Sequence, residues 1–89
     1  MTYNQIVKLQ KELGIWGLQE QINDGSVWRM EGSMGRSAMH HLEQGSCMLP
    51  KVAKYDYYGN RVPARDDLKA GTKGTFKNSQ RYYEGVAVF

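Results

Sequence analysis

The sequence has a single cysteine, Cys47, and only two prolines, Pro50 and Pro63. One thiol cannot close an intramolecular disulfide, so no cystine framework is expected and a reducing compartment suits the chain. No apolar run approaches the ~20 residues that span a bilayer, so no membrane association is expected. The opening Met1-Thr2-Tyr3-Asn4-Gln5 lacks a basic region followed by an apolar stretch, so no signal peptide is expected and a cytoplasmic location follows. The two histidines, His40 and His41, are adjacent. On a helix, neighbours point about 100° apart and chelate poorly. Zinc also needs three or four ligands, so neither a metal nor another cofactor is expected. Cys47 sits in the apolar run Cys47-Met48-Leu49, where a thiol is inert, and no third residue marks a nucleophile–base arrangement. Asp66 and Asp67 are adjacent rather than separated like a working acid–base pair. The chain reads as non-enzymatic.

What remains is a single small domain of 89 residues, 40% hydrophobic and 24% charged, too apolar and aromatic for a disordered chain. A core of this size nets a few kcal/mol once chain entropy is counted, so a partner could add to stability. The pattern predicts a mainly α fold of three to four short helices. Residues 1–49 form a helical core, and residues 50–89 form an irregular, basic, Tyr/Gly-rich region with a short C-terminal helix. Residues 1–50 hold four basic and five acidic side chains, and the remainder eight basic and four acidic. The cationic excess is confined to the second part, where it suits an acidic partner or a polyanion.

Thr2 and Gln5 form a capping box, and Ile6, Val7, Leu9 and Leu13 recur at helical spacing, predicting a helix over 3–13 with Lys8, Gln10, Lys11 and Glu12 outward. Gly14 supplies its left-handed end. A second helix runs from Trp16 to Ile22 and stops at Asn23-Asp24-Gly25. Ser26 starts either a single turn or a short strand. Ser33 caps a third helix, Met34 to Gln44, ended by Gly45. Asp56-Tyr57-Tyr58-Gly59-Asn60 is a turn between extended pieces, Gly71 to Thr75 a flexible loop, and Asn78 to Glu84 a last helix. The expected core is Ile6, Leu9, Leu13, Trp16, Leu18, Ile22, Trp28, Met39 and Leu42.

Two features carry recognition chemistry. Gly32-Ser33-Met34-Gly35-Arg36-Ser37 opens a helix, where free N–H groups and the dipole attract anions, but an ordinary cap gives the same pattern. The basic-aromatic tract is the stronger lead: Lys51, Lys54, Tyr55, Tyr57, Tyr58, Asn60, Arg61 and Arg65, then Lys73, Lys77, Arg81, Tyr82 and Tyr83. Cations meet phosphates and rings stack on bases in nucleic-acid binders. Tyrosine and arginine are equally favoured at protein hot spots.

Two stretches, Trp28-Arg29-Met30-Glu31-Gly32-Ser33-Met34-Gly35-Arg36-Ser37-Ala38-Met39 continuing through Leu42 to Leu49, and Asp56-Tyr57-Tyr58-Gly59-Asn60-Arg61-Val62-Pro63-Ala64-Arg65 followed by Gly71-Thr72-Lys73-Gly74-Thr75, resemble small uncharacterised proteins of tailed bacteriophages and prophages. The resemblance carries no mechanism or site residues with it. It implies expression in a bacterial cell and action by binding, such as inhibition of a host defence complex in the manner of an anti-CRISPR protein. The leading expectation is a binding protein for a host bacterial protein complex, with a contact surface of Tyr57, Tyr58, Arg61 and Arg65, joined by Arg36 and Lys73. Two alternatives stand beside it. One is a nucleic-acid-binding accessory protein. The other is a self-assembling phage component whose terminus Val86-Ala87-Val88-Phe89 adds an edge strand or anchors to a neighbour.

Overall fold

The computed structural model describes residues 1–30 and 32–87. Four helices dominate: α1 (Tyr3–Glu12), α2 (Trp16–Asp24), α3 (Gly32–Gln44) and α4 (Phe76–Ala87). A 3₁₀ turn, Ser26–Arg29, joins α2 to α3, and a two-stranded hairpin, β1 (Lys54–Tyr55) and β2 (Arg61–Val62), precedes a second 3₁₀ turn, Arg65–Asp67. The fold is mainly α, as the periodicity indicates. No helix among the described residues is long and apolar enough to cross a membrane.

Local chemistry accounts for the helix ends. Thr2 Oγ1 accepts from the Gln5 N–H at 3.2 Å while Gln5 Oε1 accepts from the Thr2 N–H at 2.7 Å, closing the capping box. The second helix runs to Asp24, past the expected stop at Ile22. Asn23 is tolerated there because its Oδ1 is held by Gln19 Nε2 at 2.9 Å and does not compete for the backbone. The third begins at Gly32, with Ser33 inside its first turn rather than at the cap. The last begins at Phe76, not Asn78: Thr75 Oγ1 accepts from the Asn78 N–H, the geometry of an N-cap. The same hydroxyl accepts from the Gly71 N–H, so the expected flexible loop is a closed turn with Gly74 and Thr75 buried. The expected edge strand at 86–89 does not form at Val86 and Ala87, which end α4, and Val88 and Phe89 lie outside the described residues.

The segment of residues 46–50 has no regular secondary structure and is buried along its whole length. Buried backbone must find partners, and among the described residues no strand pairs with this segment. Side chains supply them instead. Gln10 Nε2 and the Tyr83 hydroxyl both donate to the Ser46 carbonyl, at 3.0 and 2.5 Å. Ser79 Oγ reaches the Cys47 carbonyl at 3.4 Å. The Gln19 side-chain amide pairs with Met48 at two points: its Oε1 accepts from the Met48 N–H at 2.7 Å, and its Nε2 donates to the Met48 carbonyl at 2.9 Å. Gln10 Nε2 donates to Gln19 Oε1 at 2.9 Å and links the two glutamines. Further along, the Leu49 N–H donates to Gly74, and Arg65 Nε donates to the Leu49 carbonyl at 2.8 Å. Gly74 has φ +86°, and a Cβ there would lie 2.6 Å from Leu49 Cγ, so only glycine lets the turn approach this closely.

This segment alternates like a strand and divides the interior in two. Cys47 and Leu49 join Ile22, Val27, Ala38 and Leu42 in one core, and Met48 joins Ile6 and Tyr83 in the other. Burial of Cys47 pushes its thiol up to about 12, so the thiolate needed for nucleophilic attack is absent near neutrality. Cys47 is therefore expected to resist a disulfide-exchange reagent at pH 8 in the folded chain and to react in full after denaturation, as a thiol titration checks.

Three expectations about burial are corrected. Leu13 is 50% exposed, because α1 ends one residue earlier and the chain turns away at Gly14. Met39 is 47% exposed, because the buried stripe of α3 runs through Ala38 and Leu42 and leaves Met39 about 100° off its axis. Gln10 faces the interior, occupying a position where polarity suggested solvent.

His41 lies at the C-terminal end of α3 with its Nδ1 2.6 Å from Ser46 Oγ, while His40 is exposed. Desolvation first, and the charge of His40 second, hold the His41 ring below its ordinary value of 6.5. The unfolded chain then takes up this proton before the folded one. Stability is full above about pH 6.5 and falls as the pH drops through 6.5 toward the lower folded value. The melting temperature is expected to be lower at pH 5.5 than at 7.5, and His41→Gln should flatten that slope. A scan of melting temperature against pH checks both.

Candidate functional site

The hairpin pairs Lys54 with Val62 and Tyr55 with Arg61. Asp56 organises its turn. Its Oδ1 accepts from the Tyr58 and Asn60 N–H groups at 2.9 and 2.8 Å, and Oδ2 accepts from Asn60 Nδ2 at 3.3 Å. The Asp56 N–H donates to the Asn60 carbonyl at 2.9 Å, and Gly59 supplies the left-handed residue the turn needs, at φ +81°. The Tyr57 N–H donates to the Trp28 carbonyl, tying the hairpin to the first 3₁₀ turn. The tip is thus braced at the backbone while its two rings project outward. Tyr57 and Tyr58 are 77% and 84% exposed, edge to face with centroids 5.4 Å apart.

Two clefts flank this hairpin. One, of about 430 Å³, is lined by Trp28, Met30, Gly32, Gly35, Tyr57 and Tyr58 among others. The other, of about 370 Å³, lies between α3 and β2, with Trp28, Met39, Val62, Pro63 and Leu68 on its walls. Trp28 and Asp56 line both, so the clefts meet at the tryptophan. Met30, Met39 and Leu68 are exposed along them. Apolar side chains exposed along a cleft are the kind of surface that interaction sites use.

The expected contact residues separate into groups. Tyr57 and Tyr58 line the first cleft, while Arg61 and Lys73 line the second. Arg61 Nη2 sits 2.7 Å from Asp67 Oδ2. The Ala64 N–H first, and Arg61 second, hold the Asp67 carboxyl below its ordinary range. Lys73 makes a looser pair with Glu43 at 3.9 Å. Arg65 belongs to the fold. Besides the Leu49 carbonyl it reaches Asn23 Oδ1 at 3.4 Å, and its guanidinium lies over the Tyr3 ring at 5.4 Å. Arg36 is exposed on α3 and lines neither cleft. The second aromatic tract is interior: Tyr83 is buried, Tyr82 is half-buried, and Arg81 is spent on the Gly71 carbonyl at 2.8 Å.

Sequence reasoning does not show Met30, Met39 and Leu68 as surface-forming residues. Trp28 does pack against the core as expected, while also walling both clefts; Met39 alone departs from the core expectation. Leu68 carries the one legible signal, a lone large aliphatic side chain between Asp67 and Lys69. Among the described residues, no three His, Cys, Asp or Glu side chains cluster in a way that could hold a metal ion. Comparison with protein-family models, curated proteins and solved structures finds no match to the chain.

Proposed function

We propose that this chain is a phage-encoded, non-catalytic binding protein that engages a bacterial host protein complex through the Tyr57–Tyr58 hairpin. A defence complex is the partner that the resemblance to phage proteins suggests. The observation that carries the reading is the pair of exposed rings held on a braced turn beside two apolar clefts. Rigid aromatic side chains supply contact area at low entropic cost, the usual chemistry of protein hot spots. The cations favour a protein over a polyanion. Of the eight basic residues beyond Pro50, Arg61, Arg65 and Arg81 are held at 2.7–2.8 Å by a carboxylate or a carbonyl within the chain. A phosphate backbone would have to displace those partners.

The test is capture from bacterial lysate by the tagged chain, with and without nuclease. The reading expects a defined protein complex retained after nuclease and lost from the Tyr57→Ala/Tyr58→Ala variant. Retention of nucleic acid alone, or loss of every partner on nuclease treatment, would establish polyanion binding instead.

A further inference from the structure

Trp28 has an unusual electrostatic position. Its Nε1–H is buried and has no hydrogen-bond partner among the described residues. Buried donors are nearly always satisfied, and an orphan is a cost that the fold has not removed. The same residue forms the wall shared by both clefts. Met30 lines the first cleft beside this residue and Met39 the second; both are exposed, and unbranched methionine side chains adapt readily to an occupant.

The charges around the second cleft are balanced. Among the described residues that line it, Glu43 and Asp56 are matched in number by Arg61 and Lys73. A neutral rim over apolar walls complements an uncharged occupant and offers little to an anion. The missing element is a hydrogen-bond acceptor at Trp28.

We infer that the Trp28 cleft is the specificity pocket of the proposed surface, and that it takes an uncharged apolar segment of the partner protein. An aliphatic or aromatic side chain fills the cleft, and a backbone carbonyl of the same segment accepts from Trp28 Nε1–H. The inference rests on the binding reading above. It adds the chemistry of the partner: a neutral peptide stretch with an apolar anchor, rather than an acidic one. Tyr57 and Tyr58 flank the same tryptophan from the neighbouring cleft.

The test is a titration of the full ¹⁵N-labelled chain with N-acetyl-leucinamide, followed at the two indole N–H signals. Trp16→Phe assigns them. The inference expects a saturable downfield shift of the Trp28 signal, at millimolar probe, with Trp16 unmoved. No saturable shift, or an equal shift at both indoles, overturns it. So does a saturable shift at Trp28 with an oligothymidylate, which would make the occupant a nucleic acid. A second arm is Trp28→Phe in the capture assay. Retaining a ring but removing the donor should weaken capture about fivefold while the melting temperature does not fall, since the lost N–H was unsatisfied. Unchanged capture overturns the assignment. The titration uses the native chain and stands whether or not the variant folds. If capture depends on Tyr57 and Tyr58 while the Trp28 signal ignores the amide, the surface stands and the pocket assignment fails.

Discussion

Gln19→Leu is expected to unfold most of the chain at physiological temperature. The leucine matches the glutamine in bulk, so packing alone predicts a mild effect. Hydrogen bonding predicts a severe one. The substitution strands the Met48 N–H and carbonyl in the interior, and it takes one acceptor from Gln10 Nε2. An orphaned buried polar group costs about 1–3 kcal/mol, so two backbone groups together cost about 4 kcal/mol. A domain of this length holds on the order of 4–13 kcal/mol in all. The melting temperature should fall by about 15–30 °C. Glu20→Leu, one residue along on the exposed face of α2, should change stability by less than about 0.5 kcal/mol. Thermal unfolding followed by circular dichroism measures both.

Gln19→Glu separates the hydrogen-bond account from a steric one. A protonated carboxyl can still pair with Met48 at two points, its O–H to the carbonyl and its C=O to the N–H. An ionised carboxylate cannot donate, and it buries a charge. Burial raises the folded pKa of the new carboxyl above the unfolded value of about 4.3. Stability is then present below about pH 4.3 and lost as the pH rises through the folded value. The variant should lie nearer the native chain at pH 4 than at pH 7. A steric cause would give the same deficit at both.

The sequence shows the helices and hides the spine that organises them. Thr2 and Gln5, Gly14, Gly25 and Gly45 announce helix ends because capping is local chemistry, readable within a few residues. Asp56 to Asn60 announces its turn for the same reason. The segment 46–50 carries no such signal. Its side-chain partners come from residues 16 to 37 positions away, on α1, α2, α4 and the 65 turn. Polarity placed Gln10 outside, yet an amide is the side chain best able to satisfy a buried backbone that lacks a neighbouring strand. Arg65 misled for a related reason. Among cations and tyrosines it looks like a contact residue, but its Nε–H donates to the Leu49 carbonyl and its Nη2 to Asn23. Charge composition cannot distinguish a cation that meets a partner from one that closes a loop. Tyr57 and Tyr58 remained legible as surface because a tight turn has no interior in which to hide two adjacent rings.

That geometry sets the second large expected effect. Tyr57→Ala/Tyr58→Ala should weaken partner capture about 100-fold or more, since truncating central aromatic residues costs about 2 kcal/mol or more each. The two losses should not add, because the rings touch and each orders the other. Stability should hardly change. Both rings are exposed, and the bonds that brace the turn run through the backbone and Asp56 rather than through either phenol. A shift within about 4 °C is the expected limit. Tyr57→Phe/Tyr58→Phe keeps the rings and removes the hydroxyls, so it divides the loss between stacking area and hydrogen bonding. Surface plasmon resonance against the captured partner, with melting curves on the same preparations, checks the result. Full affinity in the alanine variant would move the contact surface away from the hairpin. Equal loss of affinity and of melting temperature would mean that the rings serve the fold. Loss of affinity with the fold intact would locate recognition at the turn.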